Sequence, residues 1–176
     1  MVDDPQANIT QWGPLRPGGS NFTTHRLNEH PQGLEYRKYF KLMLFGALFA
    51  LLGLGVSTRG VISGELFAGL FGLIFLTVGV WVLWPTSVLF HRELRSVTLK
   101  GRTVPFSTIL ALQLLTERVD GSDSADYDSH ELNLVLQNGE RLNVVDHAGK
   151  QTLREEANRL RGLIGCKVWD ATSKLV

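Results

Sequence analysis

Cysteine is almost missing from this chain: Cys166 stands alone among 176 residues. That excludes an intrachain disulfide framework and any multi-cysteine metal site, and with them the small secreted scaffolds that depend on either. Cys166 itself reads as a buried or half-buried thiol near the end of a helix. Histidine is sparse as well, and His25, His30, His91, His130 and His147 show no H-x-x-x-H or comparable ligand spacing, so no metal site is expected. There is no P-loop, no G-x-G-x-x-G and no G-x-S-x-G, which removes the usual sequence signs of nucleotide binding and of the common serine hydrolases. Asp146 and His147 set a carboxylate beside an imidazole, but neighbours on a strand point to opposite faces, and no nucleophile accompanies them. Neither catalysis nor a cofactor is expected. A net charge of +1 adds no reason to expect nucleic acid.

Charge is absent from two stretches. Leu42–Thr58, "LMLFGALFALLGLGVST", and Leu66–Trp84, "LFAGLFGLIFLTVGVWVLW", contain 17 and 19 residues without Asp, Glu, Lys, Arg or His. As helices they would measure roughly 25 and 28 Å, enough for the hydrocarbon of a bilayer. Neither has the polar stripe of a soluble helix. The seven residues "TRGVISG" between them force an antiparallel hairpin, and the quoted turn should lie opposite the rest of the chain. Lys and Arg collect on the outer flanks (Arg26, Arg37, Lys38 and Lys41 before, Arg92, Arg95, Lys100 and Arg102 after), whereas the turn balances Arg59 with Glu65. The positive-inside rule then puts both termini in the cytoplasm, in the manner of a bacterial inner-membrane protein, with Tyr36, Tyr39, Trp81 and Trp84 in an aromatic belt. Interior ionisable residues, which ion and proton pathways need, are missing, so a stand-alone transporter is not expected. Gly46 with Ala50, and Ala68 with Gly72, have the small-xxx-small spacing that lets helix backbones approach. They would pack the hairpin on itself, or on a second copy or another membrane protein.

On this reading residues 1–38 form a flexible cytoplasmic arm, 39–85 the hairpin and 86–176 a cytoplasmic domain. The arm shows no cleavable leader, so the first apolar run is expected to direct insertion. Its sequons at Asn8 and Asn21 are taken as chance, given the orientation. The stretch "RPGGSNFTTHRL" suits a phosphate-binding nest or, more simply, a loop lying along the chain's own domain. After Pro85 the pattern turns to strands: two short ones about His91–Leu94, a longer region in "TVPFSTILALQLLTERV", and a hairpin about Asn138-Gly139. For that hairpin a three-residue loop with a bulge is expected, pairing Leu136 with Leu142 and Leu134 with Val144. An amphipathic helix follows, with a Thr152/Glu155 capping box, Leu153, Ala157, Leu160 and Ile164 on one face, and Gly165 as its stop. The fold class is thus a membrane α-helical hairpin followed by an α+β domain, an antiparallel sheet or partly open barrel closed by one C-terminal helix. The stretch Asp120–Glu131 carries carboxylates at calcium-loop positions one, seven, nine and twelve, but position six is Ala125 where the loop needs glycine, and its flanks are strands. It is read as a solvated loop.

The order "VLFHRELRSVTLKGRTVPFSTILAL", "LNLVLQNGERLNVV", "LREEANRLRGLIGCKVWD" resembles the bacterial membrane-anchored domains of pleckstrin-homology-like fold, over about half the chain. The hairpin-then-sheet architecture and "EEANRLRGLIGCKVW" are similar to the photosystem I assembly protein of chloroplasts and cyanobacteria, whose role is not carried over. The first resemblance implies a strand barrel closed by a single helix. His91, Arg92, Arg95, Lys100 and Arg102 would then form a basic face toward anionic lipid headgroups. The expected function is recognition, scaffolding or assembly of a membrane complex. Two rivals stand beside it: an accessory subunit of a transporter or secretion machine that binds through its helices, and a membrane-bound hydrolase or lipid-modifying enzyme working through His147.

Overall fold

A computed structural model describes residues 4–121 and 125–173 of the protein. The chain divides into two units. One runs from residue 38 to 86, and the other joins the residues up to 37 with those from 87 onward.

The first unit is a pair of helices, α2 (Phe40–Ser63) and α3 (Leu66–Leu83), numbered after a short α1 (Pro5–Asn8) in the other unit. Both are long and apolar enough to cross a membrane, and their apolar windows are only 11% buried, so neither is a covered core helix. The turn is shorter than the seven residues expected. Nothing in Thr58–Ser63 stops a helix, and α2 continues until Gly64 adopts φ 72° and its N–H turns back to Gly60 and Val61. Thr58, Ser63 and Thr77 return their hydroxyl hydrogens to carbonyls four residues back. These side chains therefore leave no unpaired hydroxyl in an apolar setting.

The second unit contains two sheets. Strands β1 (His25–His30), β2 (Gly33–Lys38), β3 (Val88–His91), β4 (Ser96–Leu99) and β5 (Arg102–Pro105) form the first in sequential order. β2 and β3 are direct antiparallel neighbours, Tyr36 opposite Val88. The helical hairpin is therefore an insertion between two adjacent strands, and residues 1–38, expected as a separate arm, supply two strands of the domain. The second sheet runs β8-β7-β6-β9, from β6 (Ile109–Val119), β7 (Tyr127–Leu136), β8 (Arg141–His147) and β9 (Lys167–Asp170). Helix α4 (Lys150–Ile164) covers it through Leu153, Ala157, Leu160 and Ile164, all buried. Those residues meet Leu34, Tyr36, Phe90 and Val97 of the first sheet and Leu112, Leu132 and Leu134 of the second in one core.

Two apolar helices and an antiparallel-sheet domain with a late helix are as expected, but the described residues form no closed barrel. The helix is also not the last element, since β9 follows it and pairs parallel with β6. Inside the closing pair Leu136 and Glu140 the β7–β8 loop is three residues, Gln137–Gly139, with Gly139 at φ 84° where a side chain would be strained. Its register differs from expectation: Leu134, not Leu136, faces Leu142, and the bulge falls at Val144. Leu136 instead donates its N–H to the Glu140 carbonyl and closes the turn. The capping box is absent too. α4 starts at Lys150 behind Gly149, which puts Thr152 inside the first turn, although Gly165 ends the helix at φ 83° as expected.

Candidate functional site

The four basic residues expected to form one lipid-facing patch do not lie together. β4 is four residues long, so its two ends are about 10 Å apart. Arg92 and Arg95 belong to the turn before it, Lys100 to the turn after it, and Arg102 to the first position of β5. Only the second pair shares the sheet end where Tyr36 and Val88 carry the chain to and from the helices. Arg95 donates to the carbonyls of Leu163 and Ile164 at 2.8 and 3.1 Å and lies over the Phe106 ring, so it caps α4. Arg102 is bound at both guanidinium nitrogens by Glu140. Tyr36 is wholly buried in the sheet core and is no part of an aromatic belt, whereas Trp81 and Trp84 are exposed.

The small residues are used inside the hairpin. A Cβ on Gly46 would meet Val82 at 2.7 Å, on Gly72 it would meet the Ser57 nitrogen at 2.4 Å, and Ala50 and Ala68 face the glycines of the opposite helix. The full seam is longer than the four residues read from the sequence. It includes Gly53, Ser57, Gly60 and Gly79. The spacing of seven that relates Gly46, Gly53 and Gly60, and again Gly72 and Gly79, is the signal that finds it. Ser57 adds a bond to the Gly69 carbonyl, Phe49 stacks on Phe75 at 5.2 Å, and Lys38 closes the end of α3 through the Val82 and Trp84 carbonyls, both at 2.7 Å.

Asp146 and His147 point to opposite sides of β8, as strand geometry requires. Asp146 accepts from Asn143, and burial raises its carboxyl above the usual range. The His147 Nδ1 accepts the Gly149 N–H, and burial holds the ring below its ordinary pKa. The carboxylates of the 120–131 stretch diverge, Asp126 and Asp128 toward Arg118 and Glu131 to the outer sheet face. Ser122, Asp123 and Ser124 lie outside the described residues. Among those described, no three His, Cys, Asp or Glu side chains are placed to hold a metal ion. Burial pushes the Cys166 thiol up to about 11, far from a nucleophilic cysteine.

Sequence reading expected residues 16–27 to lie along the chain's own domain, as they do, but missed that the segment from Asp4 onward covers the outer face of the second sheet. A face turned from the core ordinarily meets water, yet every residue of β7 from Ser129 to Leu136 is buried. The cover is the amino-terminal segment. Asp4 caps α1 and lies between the Lys167 ammonium at 2.7 Å and the Trp169 indole N–H at 3.1 Å, and the bond to Lys167 keeps its carboxyl below the usual range. Ala7 is buried on this face, and Trp12 packs on Trp169 with ring centres 6.3 Å apart. Further along, the sheet's side chains take hold of the segment's backbone. Gln113 donates to the Gln11 carbonyl at 3.0 Å, and Arg141 donates to that of Gly13 at 2.8 Å. The Glu131 carboxylate accepts the Leu15 N–H at 3.0 Å with its closer oxygen, Glu117 accepts that of Gly18 at 3.2 Å, and Ser129 accepts that of Ser20 at 2.9 Å. Strands β6–β9 thus present a surface built to grip a peptide backbone. The only sequence sign is the alternation of Gln113, Glu117, Ser129 and Glu131 on outward positions.

No protein-family model matches the chain, and no curated protein or solved structure matches it either.

Proposed function

We propose that this chain is a non-enzymatic integral membrane protein in which α2 and α3 cross the bilayer and anchor a cytoplasmic two-sheet domain. That domain serves in recognition and complex assembly. The observation that carries the reading is the helix pair itself. Its glycines and Ser57 meet along a polar-poor seam, and its remaining circumference is Leu, Phe, Val and Ile exposed all round. Such a surface is stable in lipid and not in water. The excess of Lys and Arg on the outer flanks over the Arg59/Glu65 turn supports cytoplasmic termini. The two-sheet core with α4 across β6 and β7 supports a distant pleckstrin-homology-like relation without a barrel.

Partner contact through the domain is favoured over contact through the helices, because the small-residue faces are already engaged with each other. Contact of Lys100 with anionic headgroups remains part of the reading.

The test is topological. In a Cys166→Ser background, cysteine at Gly64 is expected to react with an impermeant maleimide on intact cells, and cysteine at Ser87 only after permeabilisation. Labelling of both from outside, or release of the chain by an alkaline wash, rejects the reading. Proteins that co-purify in mild detergent would then name the complex.

A further inference from the structure

The outer face of the second sheet is covered, but not satisfied. Asn133 stands at its centre, flanked in register by Gln113 on β6 and Asn143 on β8. None of Asn133 is exposed, and neither its Nδ2 nor its Oδ1 has a hydrogen-bond partner among the described residues. Its neighbours are turned to other partners: Gln113 bonds the Gln11 carbonyl and Arg141, and the Asn143 amide donates to Asp146. Asn133 shares its face with Glu131, two residues away, so it points toward the covering segment. There the chain passes from Gly13, held by Arg141, to Leu15, held by Glu131. The residue between is Pro14, which has no N–H to give. A buried amide lacking both bonds is a standing cost that natural cores avoid.

We propose that this face is a peptide-binding groove for an extended segment of a partner protein, and that residues 4–20 occupy it in cis as an imperfect substitute. The proposal rests on the recognition role argued above and gives it a surface. The chemistry of the face specifies the occupant. An acidic side chain sits between Lys167 and the Trp169 indole. An aromatic ring packs on Trp169. Opposite Asn133 comes a non-proline residue whose N–H and C=O pair with Oδ1 and Nδ2. Glu131 and Glu117 take the next free N–H groups. A groove of about 520 Å³ between residues 6–15 and the β7–β8 turn gives the incoming segment an edge from which to displace the cover.

The experiment uses the full-length protein in mild detergent and a fluorescent peptide of residues 4–20 carrying Pro14→Ala. The wild-type chain is expected to bind it weakly. A Trp12→Ala chain, whose own cover is loosened, should bind about tenfold tighter. Adding Asn133→Leu should remove that gain while raising the thermal midpoint, since it deletes an unpaired buried amide. The same peptide with Pro14 retained should bind about tenfold more weakly. Asp4→Asn loosens the same segment at Lys167 and serves as a second variant should Trp12→Ala fail to fold. Equal peptide binding with and without Asn133→Leu overturns the proposal. So does self-association of the Trp12→Ala chain without peptide, which would assign the groove to a second copy. Because binding is read in detergent, its failure leaves the topological result standing.

Discussion

Glu156, Tyr36, His130 and His147 are polar side chains buried in or beside the core, and each carries a different consequence. Glu156 accepts the Leu27 N–H at 3.1 Å and so ties α4 to β1, while burial raises its carboxyl above the usual range. The Tyr36 hydroxyl is raised well above its ordinary value by burial and by Glu156 close by. His147 and His130 face each other across β7 and β8, and burial lowers both below 6.5. A base depressed in the folded state takes its proton first in the unfolded chain. The stability contributed by the neutral rings is therefore full above about pH 6.5 and declines as pH falls toward the folded values. Glu156 works in the opposite sense, its contribution being full below about pH 4.5 and lost as pH rises through its raised folded value. The comparison is thus made between chains: from about pH 7.5 to about pH 5.5 the wild type should lose more thermal stability than His130→Gln/His147→Gln. Fluorescence of the buried Trp169 in detergent reads the transition, and parallel curves would remove the histidines from the account.

At the scale of elements, the hairpin illustrates how little of a helix contact is carried by side-chain chemistry. The sequence displays the two apolar runs, their order and the absence of charge, and these suffice for a pair of antiparallel helices. It displays the seam only as glycines seven apart, because backbone approach depends on which face each helix turns to the other. A Cβ on Gly53 would lie 2.2 Å from the Leu76 nitrogen, and on Gly79 2.4 Å from the Ala50 nitrogen, while on Gly55 it would meet nothing within 4 Å. Gly53→Leu and Gly79→Leu should therefore force the helices apart at a cost of about 1–3 kcal/mol or more, and Gly55→Leu should be tolerated. Disulfide trapping between cysteines placed at Phe49 and Phe75, which face each other across the pair, gives the measurement: yield should fall in the Gly53→Leu chain and persist in the Gly55→Leu chain. Arg95 and Lys100 teach the same lesson on the first sheet. Their basic character is legible, but their left-handed backbone at φ 50° and 48° in two tight turns, and the engagement of Arg95 with α4, are not.

For the whole molecule, the placement of the helices between β2 and β3 makes a definite forecast. Residues 87–176 alone lack β1, β2 and the amino-terminal cover, which leaves β3 unpaired on one edge and Trp169 uncovered. That fragment should aggregate. Replacing residues 38–86 by Asn-Gly joins β2 to β3 through a two-residue turn compatible with the Tyr36–Val88 register. This shortened chain should be water-soluble and unfold cooperatively, as judged by gel filtration and urea denaturation. Insolubility of the shortened chain together with a well-behaved 87–176 fragment would show that the division of the protein had been misread.

The linear order of residues was enough for everything that depends on local periodicity and on charge along the chain. The helix pair follows from two uncharged runs, the short strands about His91–Leu94 from alternation, and α4 with its stop from Leu153, Ala157, Leu160, Ile164 and Gly165. What tertiary structure alone decided is contact between residues far apart in sequence: Asp4 with Lys167 and Trp169, Leu15 with Glu131, Glu156 with Leu27, and the return of residues 25–38 as strands beside β3. Strand pairing and the covering of a sheet face are set by the competition of many weak contacts across the whole fold, and no window of neighbouring residues contains that competition.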